Sequence, residues 1–262
     1  MLRQDTCVFE KPWARMITRT GFLLLVSFAM VLPGAFAGAA DMRVMCPPPM
    51  RTAMIDLVAE FQRSSGRIVA VSYEPSKSII ARIIAGEAVD VAILTAHASD
   101  ELIRQGKIAR RVELASSTIG VAVRAGAARP DIGSADAFRR TLLAAKSFAR
   151  NDGADSGIYM KGLIERLGIA EQMKDKTTLV PSGYVAELVA RGEVELAAQQ
   201  ISELIAVAGV DVTPLPAEIQ HVIPFSAAVA PQAPEAVKEL IAFLTSPAAA
   251  DVLKRKGLEP AR

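Results

Sequence analysis

From residue 44 onward, short runs rich in β-branched residues alternate with longer runs whose apolar residues recur at helical spacing. This alternation predicts strand-helix units, with parallel strands joined by right-handed crossovers. In the first series the predicted strands are residues 44–46, 68–73 and 89–94, and the predicted helices are residues 50–64, 76–86 and 99–106. We expect Ser76 to cap the second helix, and Gly66 to end the first.

A second series follows a strand at residues 119–123 and a loop rich in Gly, Ala and Pro. Its predicted strands are residues 147–150, 178–180 and 195–199, its predicted helices begin near residues 134, 156, 183 and 202, and an apolar run at 222–229 precedes two final helices. The sequence therefore predicts an α/β protein of two lobes, each a sheet flanked by helices, joined by crossover strands near Ile119 and Val222. Residues 41–121 with 222–262 form the predicted first lobe, and residues 122–221 form the second.

The loops at the carboxyl ends of the predicted strands are rich in hydroxyl groups, amides and glycine. In open α/β sheets, ligands bind beyond these strand ends and at helix N-termini, where free N–H groups carry partial positive charge. Two facing lobes would bring both sets of loops to one cleft, which predicts a binding site for a small anion. Lys77 is the cation best placed to add a formal charge, and Arg51 is the second.

The predicted ligand-binding residues are Pro48, Pro49, Ser76, Lys77, Ser78, Thr95, Ser156, Gly157, Gly183, Tyr184 and Gln200. Each also has a simpler interpretation: an isolated serine is more often a helix cap, and a glycine often only permits a tight turn. The recurrence of polar residues at strand ends in both series favours the binding site.

Residues 16–40 have the pattern of a secretory signal, and we expect translation to start at Met16. Arg19 precedes an apolar core at residues 22–32, and Pro33 is followed by a small-x-small cleavage pattern at residues 35–37. The core is too short for an ordinary membrane span. The sequence therefore predicts export to the periplasm, and an uncleaved anchor is the alternative.

Charge and composition exclude several classes of function. The chain has 30 Lys and Arg against 28 Asp and Glu, and removal of residues 1–40 leaves 26 of each. A neutral surface argues against nucleic acid or an anionic membrane as partner. Cys46 is the one cysteine after the leader, and His97 and His221 are far apart in sequence, so we predict no disulfide, no metal site and no cofactor.

Several stretches resemble the molybdate-binding-like periplasmic solute-binding proteins of ABC importers. The matching stretches are residues 86–95, 119–124, 156–159, 185–192, 199–203 and 242–247. The resemblance implies a type 2 periplasmic binding protein fold, two lobes that close on a ligand, a monomeric receptor, and an ABC permease and ATPase as partners.

The residues depart from those that the resemblance implies for molybdate. Family members that hold molybdate use serines after the first two strands and a tyrosine late in the second lobe. Here prolines follow Cys46 and lack N–H donors, and the tyrosine position falls near Gln199 and Gln200, whereas Ser76 or Ser78 can fill the second role. We therefore expect a small organic carboxylate or a polyol anion as ligand in preference to a tetrahedral oxyanion, which stays an alternative.

The same divergent branch also resembles bacterial aconitate isomerases, which are exported enzymes on this scaffold. Moving an allylic double bond requires a base that removes a proton next to a carboxylate and a group that returns one. The candidates are Lys77, Asp152, Tyr184 and the Cys46 thiolate, and no spacing singles out a pair. The sequence thus favours a transport receptor. A cofactor-free isomerase is the second alternative, and a periplasmic sensor or binder that serves no importer is the third.

Overall fold

A computed structural model describes residues 40–261, so the predicted signal, apart from Ala40, and the predicted start at Met16 lie outside the described residues. Within residues 40–261, no helix is both long enough and apolar enough to span a membrane.

The first sheet is built from the strands β1 (Met42–Cys46), β2 (Val69–Tyr73), β3 (Val91–Thr95), the first part of β4 (Arg110–Arg124), and β9 (Val222–Val229). These strands lie in the order β2-β1-β3-β9-β4, and the short β10 (Glu259–Pro260) pairs with β4. β1 is parallel to β2 and β3, as the strand-helix alternation predicts, and β9 is antiparallel to both of its neighbours.

The second sheet contains the last part of β4 with β5 (Phe148–Asn151), β6 (Thr177–Val180), β7 (Leu196–Gln200) and β8 (Val210–Pro214). β5 is parallel to β6 and β7, while β7 and β8 run antiparallel to β4. β6 is the edge strand on one side.

The long strand β4 connects the two sheets. It pairs with β9 up to Thr118 and with β7 and β8 from Ile119 or Gly120 onward. The chain returns through residues 215–221, where the Gln220 side chain binds the Ile119 backbone: its Oε1 accepts from Ile119 N at 2.8 Å and its Nε2 donates to Ile119 O at 3.0 Å. The predicted α/β architecture of two connected sheets is confirmed, and the lobe boundaries stay a prediction.

Helices cover both faces of each sheet. Those packed on the first sheet are α1 (Pro48–Ser65), α2 (Ser76–Ile84), α3 (Ala96–Arg104), α9 (Ala236–Leu244) and α10 (Pro247–Arg255). Those packed on the second sheet are α4 (Ala135–Ala144), α5 (Asp155–Arg166), α6 (Ala170–Lys174), α7 (Ala186–Ala190) and α8 (Ile201–Leu204). Each sheet has an apolar cluster on either face, so the fold is held by packing; Cys46 is free and buried.

The predicted cap of α2 and the predicted start of α3 are wrong. Ser76 does not cap α2, because Pro75 occupies the N-cap position and Ser76 is the first helical residue. α3 begins at Ala96 and not at residue 99, because the Thr95 hydroxyl already accepts a hydrogen bond from Ala98 N at 3.3 Å. Gly66 ends α1 as predicted, with a φ of 72° that favours glycine.

Candidate ligand-binding cleft

A cavity of about 330 Å³ lies between residues of the first and second sheets. One wall comes from the starts of α1 and α2 and from β9; the other comes from the loops after β5 and β6, the end of β7, and α8. The lining residues are Pro48, Pro49, Pro75, Ser76, Lys77, Asn151, Asp152, Gly153, Ala154, Asp155, Pro181, Ser182, Gly183, Gln199, Gln200, Glu203 and Phe225.

The start of α1 offers no main-chain donor to this cavity. Pro47 is its N-cap, and Pro48 and Pro49 are the first helical residues, so three successive positions lack an N–H. The next N–H, on Met50, donates to Pro47 O at 3.1 Å. This helix end therefore cannot hydrogen-bond an anion through its backbone.

The start of α2 does offer donors. Ser78 N and Ile79 N both donate to Pro75 O, whereas the N–H groups of Ser76 and Lys77 have no partner among the described residues. Because the N-terminus of a helix carries partial positive charge, these two groups form an anion-binding end. The Lys77 ammonium group extends toward the opposite wall, and its Nζ lies 3.2 Å from the position that a Cβ on Gly153 would occupy.

Gln199 holds the opposite wall together. Its Nε2 donates to Asn151 Oδ1 at 2.7 Å, to Gly183 O at 3.1 Å and to Glu203 Oε1 at 3.0 Å, and its Oε1 accepts from Val185 N at 3.0 Å. One side chain thus links β5, the loop before α7, and α8, and fixes the position of the Glu203 carboxyl group.

Three buried polar atoms have no hydrogen-bond partner among the described residues: Ser156 Oγ, Gln200 Oε1 and Glu203 Oε2. Gln200 and Glu203 line the cleft, and Ser156 follows the lining residue Asp155 in the first turn of α5. Buried polar groups in folded proteins are nearly always paired. The concentration of the exceptions here indicates a surface prepared for a bound molecule.

Burial raises the pKa of Glu203 to about 8, and the nearby charge of Asp155 acts in the same direction. The carboxyl group is therefore protonated at neutral pH and offers an O–H donor. Asp152 and Asp155 also line the cleft and are exposed. The acids partly offset the charge of Lys77, which limits the net negative charge that the cleft can accommodate.

The structure brings together six of the predicted ligand-binding residues, which are Pro48, Pro49, Ser76, Lys77, Gly183 and Gln200. The other five lie outside the lining. Thr95 caps α3, Ser78 is exposed on α2, and Tyr184 is half-buried beside the cleft loops, where burial raises its pKa.

Ser156 and Gly157 are buried in the first turn of α5 and do not line the cavity. A Cβ on Gly157 would lie 2.0 Å from Asn151 O, so glycine is required there for the close approach of α5 to β5. Sequence reasoning missed Glu203 altogether, because its burial follows from the packing of α8 and no local sequence pattern indicates it.

The chain belongs to the bacterial extracellular solute-binding protein family, whose model matches residues 42–259. A relative from Pseudomonas sp., named aconitate isomerase, is 35% identical over 216 residues that cover 78% of this chain and 82% of the relative.

Solved structures share the fold at low sequence identity. The periplasmic molybdate-binding protein of Azotobacter vinelandii has a TM-score of 0.70 at 17% identity, covering 84% of this chain and 100% of that one. The tungstate-binding protein of Desulfovibrio alaskensis has a TM-score of 0.62 at 14% identity, covering 85% and 99%. Both align over almost the whole of their own length, which identifies the type 2 periplasmic binding protein fold.

Proposed function

We propose that this protein is a periplasmic receptor that captures a small organic carboxylate in the cleft and delivers it, as a monomer, to an ABC permease and ATPase. The main support is that both walls of the cleft carry polar groups without a hydrogen-bond partner among the described residues. The N–H groups of Ser76 and Lys77 have no partner on one wall, and Gln200 Oε1 and Glu203 Oε2 are buried and unpaired on residues of the other wall. Donors alone would suit any anion, whereas this mixture suits an anion that also carries hydroxyl groups.

The charges of the lining narrow the ligand class further. A carboxylate can accept from the start of α2 and from the Lys77 ammonium group. On the other wall, Gln200 Oε1 needs a hydrogen-bond donor and the protonated Glu203 carboxyl group needs an acceptor. A hydroxyl group on the ligand can serve as both donor and acceptor. With Asp152 and Asp155 also lining the cleft, a hydroxy or polyol monocarboxylate fits better than a highly charged oxyanion.

Two further observations support this role. The family description is that of extracellular solute-binding proteins, and two of the solved relatives are named for binding molybdate or tungstate, which are anions. The prolines at the start of α1 argue against these particular oxyanions, because a tetrahedral oxyanion is best held by several backbone donors from both walls. The predicted signal over residues 16–40 supports export to the periplasm.

A thermal-shift panel of hydroxy monocarboxylates, dicarboxylates, tricarboxylates, molybdate and tungstate tests the proposal. A ligand at 100 times its Kd stabilises the native state by about 2.7 kcal/mol, which is easily detected. We expect a hydroxy carboxylate to raise Tm most. A panel in which only the metal oxyanions raise Tm would overturn the proposal.

An isomerase is the second candidate, and Glu203 is the observation that favours it. A buried carboxyl with a pKa of about 8 and an unpaired oxygen in the cleft can take or return a proton near neutral pH. The relative from Pseudomonas sp., which is named aconitate isomerase, also supports this candidate. Cys46 is a poor base, because its thiol is fully buried and burial raises its pKa well above the usual value.

Incubation with cis- or trans-aconitate in D2O separates the two candidates. Proton abstraction next to a carboxylate replaces C–H by C–D, which ¹H NMR detects even when little isomer accumulates. The isomerase predicts deuterium incorporation in the wild type and its loss in Glu203→Gln. The receptor predicts an unchanged spectrum in both.

A further inference from the structure

A second cavity, of about 250 Å³, lies between β5, β6, α5 and α6, and shares no lining residue with the cleft. Its cationic residues are Arg150, Lys161 and Lys174, and Ile164, Met173 and Leu179 supply apolar walls. Glu165 is the one acid in the lining.

Arg150 is the unusual residue of this cavity, because its side chain is buried without a counter-ion. It is only 8% exposed, and its Nη1 donates to Asn151 O at 2.9 Å and to Gly157 O at 3.2 Å. Among residues 40–261, Nε and Nη2 have no hydrogen-bond partner, and no carboxylate oxygen lies within 4.0 Å of the guanidinium group.

The unpaired nitrogens of Arg150 are open to the cavity, since neither is among the fully buried side-chain atoms without a partner, and a guanidinium group in such a position commonly pairs with a carboxylate. Here burial lowers the pKa of Arg150, and Asp152 and Glu165 act only as more distant charges that raise it. The guanidinium group therefore presents unused donors in a cavity with two further cations, which is the chemistry that holds a carboxylate.

We propose that this cavity is a second binding site, for a short-chain monocarboxylate whose carboxylate pairs with Arg150 and whose alkyl chain contacts Ile164, Met173 and Leu179. The apolar walls disfavour a strongly hydrated ion such as phosphate, because its hydration would be lost without replacement. The site is independent of the cleft ligand and of the proposed transport role.

The register between β5 and β6 identifies a position at which a substitution can supply Arg150 with a counter-ion. Leu179 is the Cα partner of Arg150 in the parallel pairing of β5 and β6, and it is 47% exposed. Neighbouring strands are about 4.8 Å apart, so a carboxylate at position 179 can reach the guanidinium group. We expect Leu179→Glu to have a Tm higher by at least about 3 °C than the matched control Leu179→Gln. An equal or lower Tm would contradict the proposal.

Titration of the full chain with hexanoate, followed by NMR, tests the site itself. We expect binding in Lys77→Ala within a factor of three of the wild type, and a moderate loss in Leu179→Gln, which removes one apolar contact of the alkyl chain. Leu179→Glu should bind hexanoate at least tenfold more weakly than Leu179→Gln, and 1-hexanol and hexylamine should not bind. No hexanoate binding, unchanged binding in Leu179→Glu, or a loss in Lys77→Ala would overturn the proposal. Lys77 lines the cleft and not the second cavity, so hexanoate binding by Lys77→Ala separates the two sites.

Discussion

Glu203 Oε1 accepts a hydrogen bond from Gln199 Nε2 at 3.0 Å, while Glu203 Oε2 is buried without a partner. Gln199 therefore orients a carboxyl group whose second oxygen is buried and unpaired in the wall of the cleft. Gln199 also hydrogen-bonds the Asn151 side chain at the end of β5 and Val185 N before α7. The same side chain therefore holds these segments of the cleft wall together and positions the Glu203 carboxyl group.

Glu203→Gln is expected to change how stability depends on pH. The pKa of Glu203 is raised to about 8 in the folded protein, so the folded state retains a proton that the unfolded state releases above about pH 4.5. Stability from this group is fully present below about pH 4.5 and is lost as pH rises toward about 8, by at most about 1.4 kcal/mol per pH unit. Denaturant unfolding at several pH values should show a flatter profile in the variant. Identical profiles would show that Glu203 is ionised in the fold.

Lys77→Ala is expected to weaken binding of the cleft ligand by roughly tenfold to a hundredfold, since it removes a charge-assisted hydrogen bond of about 1.5–3 kcal/mol. The side chain is exposed, so Tm of the free protein should change little. Ser78→Ala is the matched control, because Ser78 is on the same helix, exposed, and outside the lining. Calorimetric titration of both variants tests this, and equal affinities would remove Lys77 from the site.

Gly157→Ala is expected to destabilise the protein by at least about 2 kcal/mol, because its Cβ would lie 2.0 Å from Asn151 O and force α5 away from β5. Gly162→Ala, on the same helix, is the control: its Cβ would meet only the flexible Arg166 side chain at 3.4 Å. The control should be neutral or stabilised by up to about 1 kcal/mol. Urea unfolding measures both, and similar values would contradict the close approach.

Gln220→Ala is expected to lower the free energy of unfolding by roughly 1–3 kcal/mol. It removes the side-chain hydrogen bonds to both backbone groups of Ile119 and to Leu215 O, where the chain returns between the sheets. Gln105→Ala, which removes one exposed hydrogen bond to Glu101, should cost less than about 0.5 kcal/mol. A comparable loss in both variants would show that Gln220 has no special role at the crossing.

Local patterns predicted much of the fold. Apolar periodicity and end glycines located most strands and helices, and parallel pairing followed from their alternation. The first half of β4 was missed because its mixed polar sequence is stabilised by pairing with β9 and β10, a tertiary effect. Ser76 was misassigned as a cap because Pro75, which has no side-chain acceptor, takes that position.

The site was predictable only in part, because strand-end loops can be located from sequence whereas side-chain pairing cannot. The Ser76–Lys77 turn and Gln200 were found in this way and line the cleft. The burial of Glu203 and the network around Gln199 depend on how β5, β7 and α8 pack together, and no spacing in the sequence indicates this.

The most direct test of the central claim is a calorimetric titration of the protein with hydroxy monocarboxylates and, side by side, with molybdate and tungstate. A cleft whose donors come from α2 and Lys77, facing an amide oxygen and a protonated acid, predicts one-to-one binding of a hydroxy carboxylate at least tenfold tighter than either metal oxyanion. Tighter binding of molybdate or tungstate than of every carboxylate would contradict it.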